Sequence, residues 1–354
     1  MPLRRNVHST ALVGSALAAL LLLVGCSAPA ASSSNDSAAA EASELVPAAE
    51  GTTSYPLTLD SPYGETVLKE RPTRIAAIVP NGVDTELLLS LGVTPVLNSN
   101  MVSEGGYLDA HGAADLNTYE YVRGEDVPME AVAAAKPDLI VTVGWVPGFG
   151  GVEDIYDRLA KIAPVLTSPA SDQRIVPWQE SIRLLGEAID LSDRAEAVID
   201  EHEELFSGIR EAHPEFDGKT ATWAIYYGPA TGLQYFSQNG AAPELFLTDL
   251  GFAPNPGAAA FAKDTTVSDE LISKIDADVL VLGQSEATTL EEMAERVTDT
   301  DLFTSLGAVK SGRFVQLPPK TDDGGDLLWA ITSGGPIGNA WAAEQLVPLL
   351  AEKF

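Results

Sequence analysis

Few side chains in this 354-residue chain have the types and spacing that chemistry demands. The four histidines, His8, His111, His202 and His213, form no carboxylate–histidine cluster at metal-ligand spacing, so direct capture of a bare metal ion is not expected. No Gly-x-Ser-x-Gly elbow, His-Glu-x-x-His helix or Cys-His pair is present. Gly148, Gly150 and Gly151 follow an apolar run, but the third glycine of the dinucleotide fingerprint is missing and no acidic residue ends the next strand. What remains is a set of aromatic residues at strand ends and in loops: Trp145, Trp178, Tyr226, Tyr227, Tyr235, Phe261 and Trp329. Aromatic walls of this kind suit an organic ligand. Trp145 directly follows the run Leu139–Val143 and Trp329 follows the polar stretch Lys320–Asp326, so these two rank first. Among the cations Arg123 stands out, just ahead of a helix expected from Val127, with planar donors suited to oxygen-rich groups. An ion pair with Glu125 or Asp126 is its other use. Arg174, Lys263 and Lys320 are weaker loop candidates.

The elements that must position these residues are organised around one stretch, 191–213. Apolar residues at Ala195, Val198, Ile199, Leu205, Phe206, Ile209 and Ala212 keep the spacing of a helical face. Ser192 is placed to cap it and Pro214 to stop it. On each side, short β-branched runs alternate with helical patterns, which predicts two α/β lobes with mainly parallel sheets, at 55–190 and 214–354. The lobes resemble each other locally. Glu130 and Asp138 flank a helix-to-strand turn in one, and Glu270 and Asp278 flank its counterpart in the other, with each glutamate expected in a helical first turn.

The formal net charge of −30 and a pI near 4.2 argue against nucleic acid, whose phosphates need clustered Lys and Arg. A single cysteine excludes an intramolecular disulfide. It lies at Cys26, after Arg4, Arg5 and an apolar run from Ala11 to Val24 that is short for a membrane span. The stretch Leu23-Val24-Gly25-Cys26-Ser27 looks like a bacterial lipobox, so residues 1–25 read as a signal peptide and Cys26 as a lipid anchor. That predicts a place on the outer face of the cytoplasmic membrane. Residues 26–54 are rich in Ser, Ala and Glu and read as a flexible tether.

Behind the lipobox, an ordered set of motifs resembles the iron-siderophore-binding lipoproteins of ABC importers, the class III binding proteins. The stretches are Arg71-Pro72-Thr73-Arg74-Ile75, Leu91-Gly92-Val93-Thr94-Pro95-Val96, Ala134-Ala135-Lys136-Pro137-Asp138-Leu139-Ile140-Val141, Leu159-Ala160-Lys161-Ile162-Ala163-Pro164-Val165, Asp276-Ala277-Asp278-Val279-Leu280 and Ala308-Val309-Lys310-Ser311-Gly312-Arg313-Phe314. The resemblance implies two α/β lobes joined by one long helix, with limited lobe movement. It implies a cleft for a ferric siderophore whose iron is held by the chelator, with no cofactor and no catalysis, and delivery to an ABC transporter permease. Arg123 falls in the loop where hydroxamate-binding members carry a ligand-facing arginine, although the spacing to Pro128 is slightly long. An acidic residue on each lobe meets the permease in this family. Here Glu270 and Glu153 match, with Asp154 or Asp157 as alternatives to Glu153. Sparse cations favour a weakly charged or cationic ferric hydroxamate over a triply anionic catecholate. Vitamin B12 or haem binding on the same fold and an extracellular glycoside hydrolase with paired carboxylates are the other readings.

Overall fold

The computed structural model describes residues 45–122, 125–144, 152–169, 176–285 and 287–354. In the first lobe a hairpin of β1 (Leu57–Ser61) and β2 (Gly64–Leu68) leads into β3 (Ile75–Ala77), then helix α1 (Val83–Ser90). The short parallel pair β4 (Asn98–Ser99) and β5 (Thr118–Tyr119) follows, then α2 (Met129–Ala134), β6 (Leu139–Val141), α3 (Val152–Leu159), β7 (Val165–Leu166) and α4 (Trp178–Ile189). The central sheet has the order β3-β6-β7 and is parallel throughout, with Ile75 opposite Leu139 and Ile140 opposite Val165. Its strands are buried at every position, which is why they read as unbroken apolar runs. The run Val93–Leu97 forms only an isolated bridge from Leu97 to Ala76.

The connecting helix α5 runs from Ser192 to Ala212. Its first half gives Ala195 and Val198 to the first-lobe core, and its second half gives Phe206 to the second-lobe core. Ser192 does not cap it. The Glu50 carboxylate accepts from the N–H groups of Asp193 (2.7 Å) and Arg194 (2.9 Å), satisfying two donors that no helix can satisfy internally. Glu50 comes from the segment whose composition suggested a tether, so the last ten residues of that segment are built into the lobe. Val46 is buried, and the N–H groups of Gly51, Thr52 and Thr53 donate to the Asp190 carboxylate between α4 and α5. Few apolar groups are needed there, because polar helix ends supply the attachment.

The second lobe contains β8 (Ala221–Tyr226), β9 (Leu233–Tyr235), α6 (Ala242–Asp249), β10 (Val279–Gln284), β11 (Phe314–Gln316), α7 (Leu327–Ser333) and α8 (Pro336–Ala351). Its sheet has the order β11-β10-β8-β9, parallel except for β9 at the edge. The helix expected to begin at Glu270 is a turn followed by a single 3-10 turn, Ile272–Lys274.

Helix α5 is not the lobes' only link. Val102, Tyr107, Leu108 and Ala113, which lie in the first lobe's sequence between β4 and β5, join the same core as Trp223 and Phe246 of the second lobe. The Asp326 N–H donates to the Gly105 carbonyl and secures this arm.

Candidate functional site

A cavity of about 450 Å³ lies between the lobes. One wall is formed where the first lobe's strands end: Asn81 and Val83 after β3, Val143 and Gly144 after β6, and the start of α4 at Trp178. The opposite wall comes from Phe236 after β9, Leu245 and Asp249 of α6, Trp329 and Ser333 of α7, and Asn339 of α8. Carboxyl ends of parallel strands are where chains leave a sheet and spare backbone groups collect, so crevices form there.

Two buried carboxylates, Asp84 and Glu86, sit in the first turn of α1, next in the chain to the lining residues Val83 and Leu87. Asp84 turns back to its own lobe: its Oδ1 accepts from the Gly144 N–H at 2.7 Å, while Oδ2 has no partner among the described residues. Gly144 must lack a side chain, because a Cβ would collide with Val83 and the Asp84 carboxylate. Glu86 crosses to the other lobe. Its Oε1 accepts from the Gly338 N–H (2.7 Å) in the first turn of α8, and its Oε2 accepts from the Tyr107 hydroxyl (3.1 Å). Gly335 just before α8 leaves room for this carboxylate, and Tyr107 stacks on Trp341 at 5.8 Å. Burial pushes both carboxyls up to about 7, against the backbone hydrogen bonds that favour their ionised forms.

Trp178 and Trp329, two of the aromatic candidates, both line the cavity. Trp329 is half-buried, and its backbone N–H donates to the Asp326 carboxylate, which caps α7. Trp178, 7% exposed, rests its ring edge on His202 of α5 at 5.0 Å. His202 stacks on Phe206 at 4.4 Å, and Phe206 meets Phe246 edge-on. A row of rings thus runs from the cavity wall through the connecting helix into the second core. Burial holds His202 down at about 4, so this ring is neutral at physiological pH.

The other aromatic candidates divide. Tyr227 is 39% exposed and tilts against Phe236, a residue of the cavity wall that the sequence reading passed over. Tyr235 and Phe261 are corrections: they stack on each other at 4.4 Å inside the second-lobe core and do not reach the cavity. Tyr226 is also in that core and faces a separate, smaller cavity of about 210 Å³. For the two tyrosines strand alternation explains this, since an aromatic residue near a strand end is as readily turned into the core as towards a cleft; Phe261 ends a 3-10 turn, Pro256–Phe261, packed on the same core. Arg123, Trp145, Arg174 and Cys26 lie outside the described residues. Asp126, one of the acids open to Arg123, pairs with Arg158. Lys263 and Lys320 are not in the cavity wall.

Among the described lining residues the only charged one is Asp249, at the end of α6. Burial, with Glu203 and Glu244 nearby, pushes its carboxyl up to about 6, while Arg210 acts in the other direction. The remaining polar lining is amide and hydroxyl, including Asn81, Gln179, Gln238 and Ser333. No group of three or more His, Cys, Asp or Glu among the described residues could hold a metal ion. Glu153 and Glu270 are both exposed, Glu153 in the first turn of α3 and Glu270 on the turn before the 3-10 segment.

Two α/β lobes, a helix shared between their cores and a cavity walled by both define a two-lobed ligand-binding protein of the class III fold. A family model described as "Periplasmic binding protein" matches residues 78–321, and the chain belongs to that family. It is 23% identical over 308 residues, 85% of this chain and 87% of the relative, to the iron(3+)-hydroxamate-binding protein YxeB of Bacillus subtilis. It is also 23% identical over 253 residues, 71% of this chain and 74% of the relative, to the Fe(3+)-citrate-binding protein YfmC of the same organism. Among solved structures, PiaA of Streptococcus pneumoniae TIGR4 in complex with ferrichrome superposes with a TM-score of 0.65 at 23% identity, covering 84% of this chain and 98% of that one.

Proposed function

We propose that this protein is a lipid-anchored substrate-binding protein that captures a ferric siderophore of hydroxamate type between its lobes and delivers it to an ABC permease. The observation that carries the reading is the interlobe cavity, with Trp178, Phe236 and Trp329 in its walls and no cation among its described lining residues. A ferric trihydroxamate has no net charge at its metal centre, so aromatic and amide walls can desolvate it at little electrostatic cost. A triply anionic tricatecholate or a citrate complex would need paired cations for the same step. The hydroxamate-binding relative YxeB and the ferrichrome complex of PiaA favour the same ligand class. Arg123 and Trp145 would complete the contact, with Arg123 donating to the iron-bound oxygens. Cys26 would carry the acyl anchor, and Glu153 and Glu270 would meet the permease.

The test is tryptophan-fluorescence titration with a neutral ferric trihydroxamate, a ferric tricatecholate, ferric citrate, cobalamin and haem. Saturable quenching by the trihydroxamate at the lowest concentration is expected, and Trp329→Ala should weaken it roughly tenfold. Tighter binding of the catecholate, citrate, cobalamin or haem would overturn the ligand assignment. In cells, Cys26→Ala should release the protein from the membrane fraction. Glu153→Ala combined with Glu270→Ala should abolish uptake without changing the titration; normal uptake would remove the docking assignment.

A further inference from the structure

We propose that the cavity is selective for ferric chelates that carry a protonated amine, with Asp249 as the charge partner, an inference that rests on the siderophore reading above. Two observations support it. Asp249 brings the only charge among the described lining residues, and it is negative. Its carboxylate has no hydrogen-bond partner among the described residues. The nearest cation is engaged elsewhere: Arg210 donates to the Asp249 backbone carbonyl at 2.7 Å and to Glu203 at 2.9 Å. With Glu244 also close, negative charge exceeds positive at this end of the cavity.

The second observation is independent of charge. Asn339, on the first turn of α8, lines the cavity while only 4% exposed, and its amide oxygen has no donor among the described residues. A buried acceptor without a partner is costly, and a ligand N–H brought to it by a small rotation of the amide would relieve that cost. Both residues therefore ask for a donor. An ammonium group is the one common chelate substituent that donates several hydrogen bonds and carries positive charge. The iron centre would lie against the aromatic walls, with the amine turned to α6.

The test compares a linear ferric trihydroxamate bearing a terminal ammonium with its N-acetylated twin, titrated against the full-length protein and against Asp249→Asn. The wild type should bind the ammonium form roughly tenfold more tightly. In Asp249→Asn, with folding checked by circular dichroism, that ratio should fall to about one. Asn339→Leu should weaken the ammonium form more than its twin. Equal affinity of the wild type for the two twins, or a preference that survives Asp249→Asn, would overturn the selectivity. If the folded wild type binds neither twin, the siderophore reading itself fails and the selectivity fails with it.

Discussion

In the first lobe, the Asp138 carboxylate accepts from the N–H groups of Thr73 and Arg74, both at 2.8 Å, just before β3 and β6 pair. In the second lobe, Asp278 accepts from the Thr220 N–H at 2.9 Å just before β8 and β10 pair. In both, a threonine hydroxyl also donates to the aspartate. The two lobes thus begin their central strand pair with the same clamp. At the cavity they differ. Behind the first lobe's wall lie the buried carboxylates of α1, one of which accepts from the start of α8, whereas the second lobe supplies the aromatic residues Phe236 and Trp329 and the charged Asp249. The frame of each lobe must satisfy the same strand-pairing geometry, so it repeats. The cleft must join unlike surfaces, so it does not.

Breaking the cross-lobe tie should have the largest effect. Glu86→Ala leaves the Gly338 N–H and the Tyr107 hydroxyl without their acceptor in a buried site, and urea denaturation at pH 5.5 should show a loss of about 3 kcal/mol. Glu86→Gln keeps an acceptor and should lose less than half of that. If alanine is tolerated without cost, the lobes are held by α5 and the arm alone.

The second effect is a pH dependence confined to the cleft. Asp84 and Glu86 titrate near 7 in the fold, above their ordinary 3.8 and 4.5. A carboxyl whose folded pKa is raised contributes stability that is complete below its unfolded value and is lost as pH rises through the folded one. Stability should therefore increase by about 2 kcal/mol for each of the two carboxyls as pH falls from 8 to 5. Asp84→Asn with Glu86→Gln should flatten that slope. Asp278 works in the opposite sense: its hydrogen bonds from Thr220 hold it below its ordinary range, so its contribution disappears only in stronger acid. A flat profile in the wild type between pH 8 and 5 would contradict the raised values.

The smallest effect sharpens the repeat itself. Asp138→Ala and Asp278→Ala should each cost about 1 kcal/mol, as the loss of a side-chain cap does, and the two should agree within a factor of two. A large inequality in thermal melts would mean that the clamps are alike in geometry but not in weight.

Sequence alone determined the parts whose burial is local. Unbroken apolar runs specified β6 and most of β10, and 3.6-residue periodicity specified α5 nearly to its ends. Trp178 and Trp329, two of the aromatic residues singled out at strand ends and in loops, line the cavity, and only Trp329 had a preceding polar stretch to mark it. Tertiary structure alone decided what each surface faces. Asp84 and Glu86 sit in a helical first turn, where acids ordinarily favour the dipole in water, and only the approach of Gly144 and α8 buries them. The arm around Tyr107 and the wall residues Phe236, Asp249 and Asn339 carry no periodic signal that distinguishes a cleft from a core or a surface. Tyr235 and Phe261 show the same gap from the other side, since their aromatic character fitted a pocket but both pack into the second-lobe core. Periodicity reports whether one element has a buried face, but the identity of the neighbour that buries it depends on contacts between residues far apart in the chain.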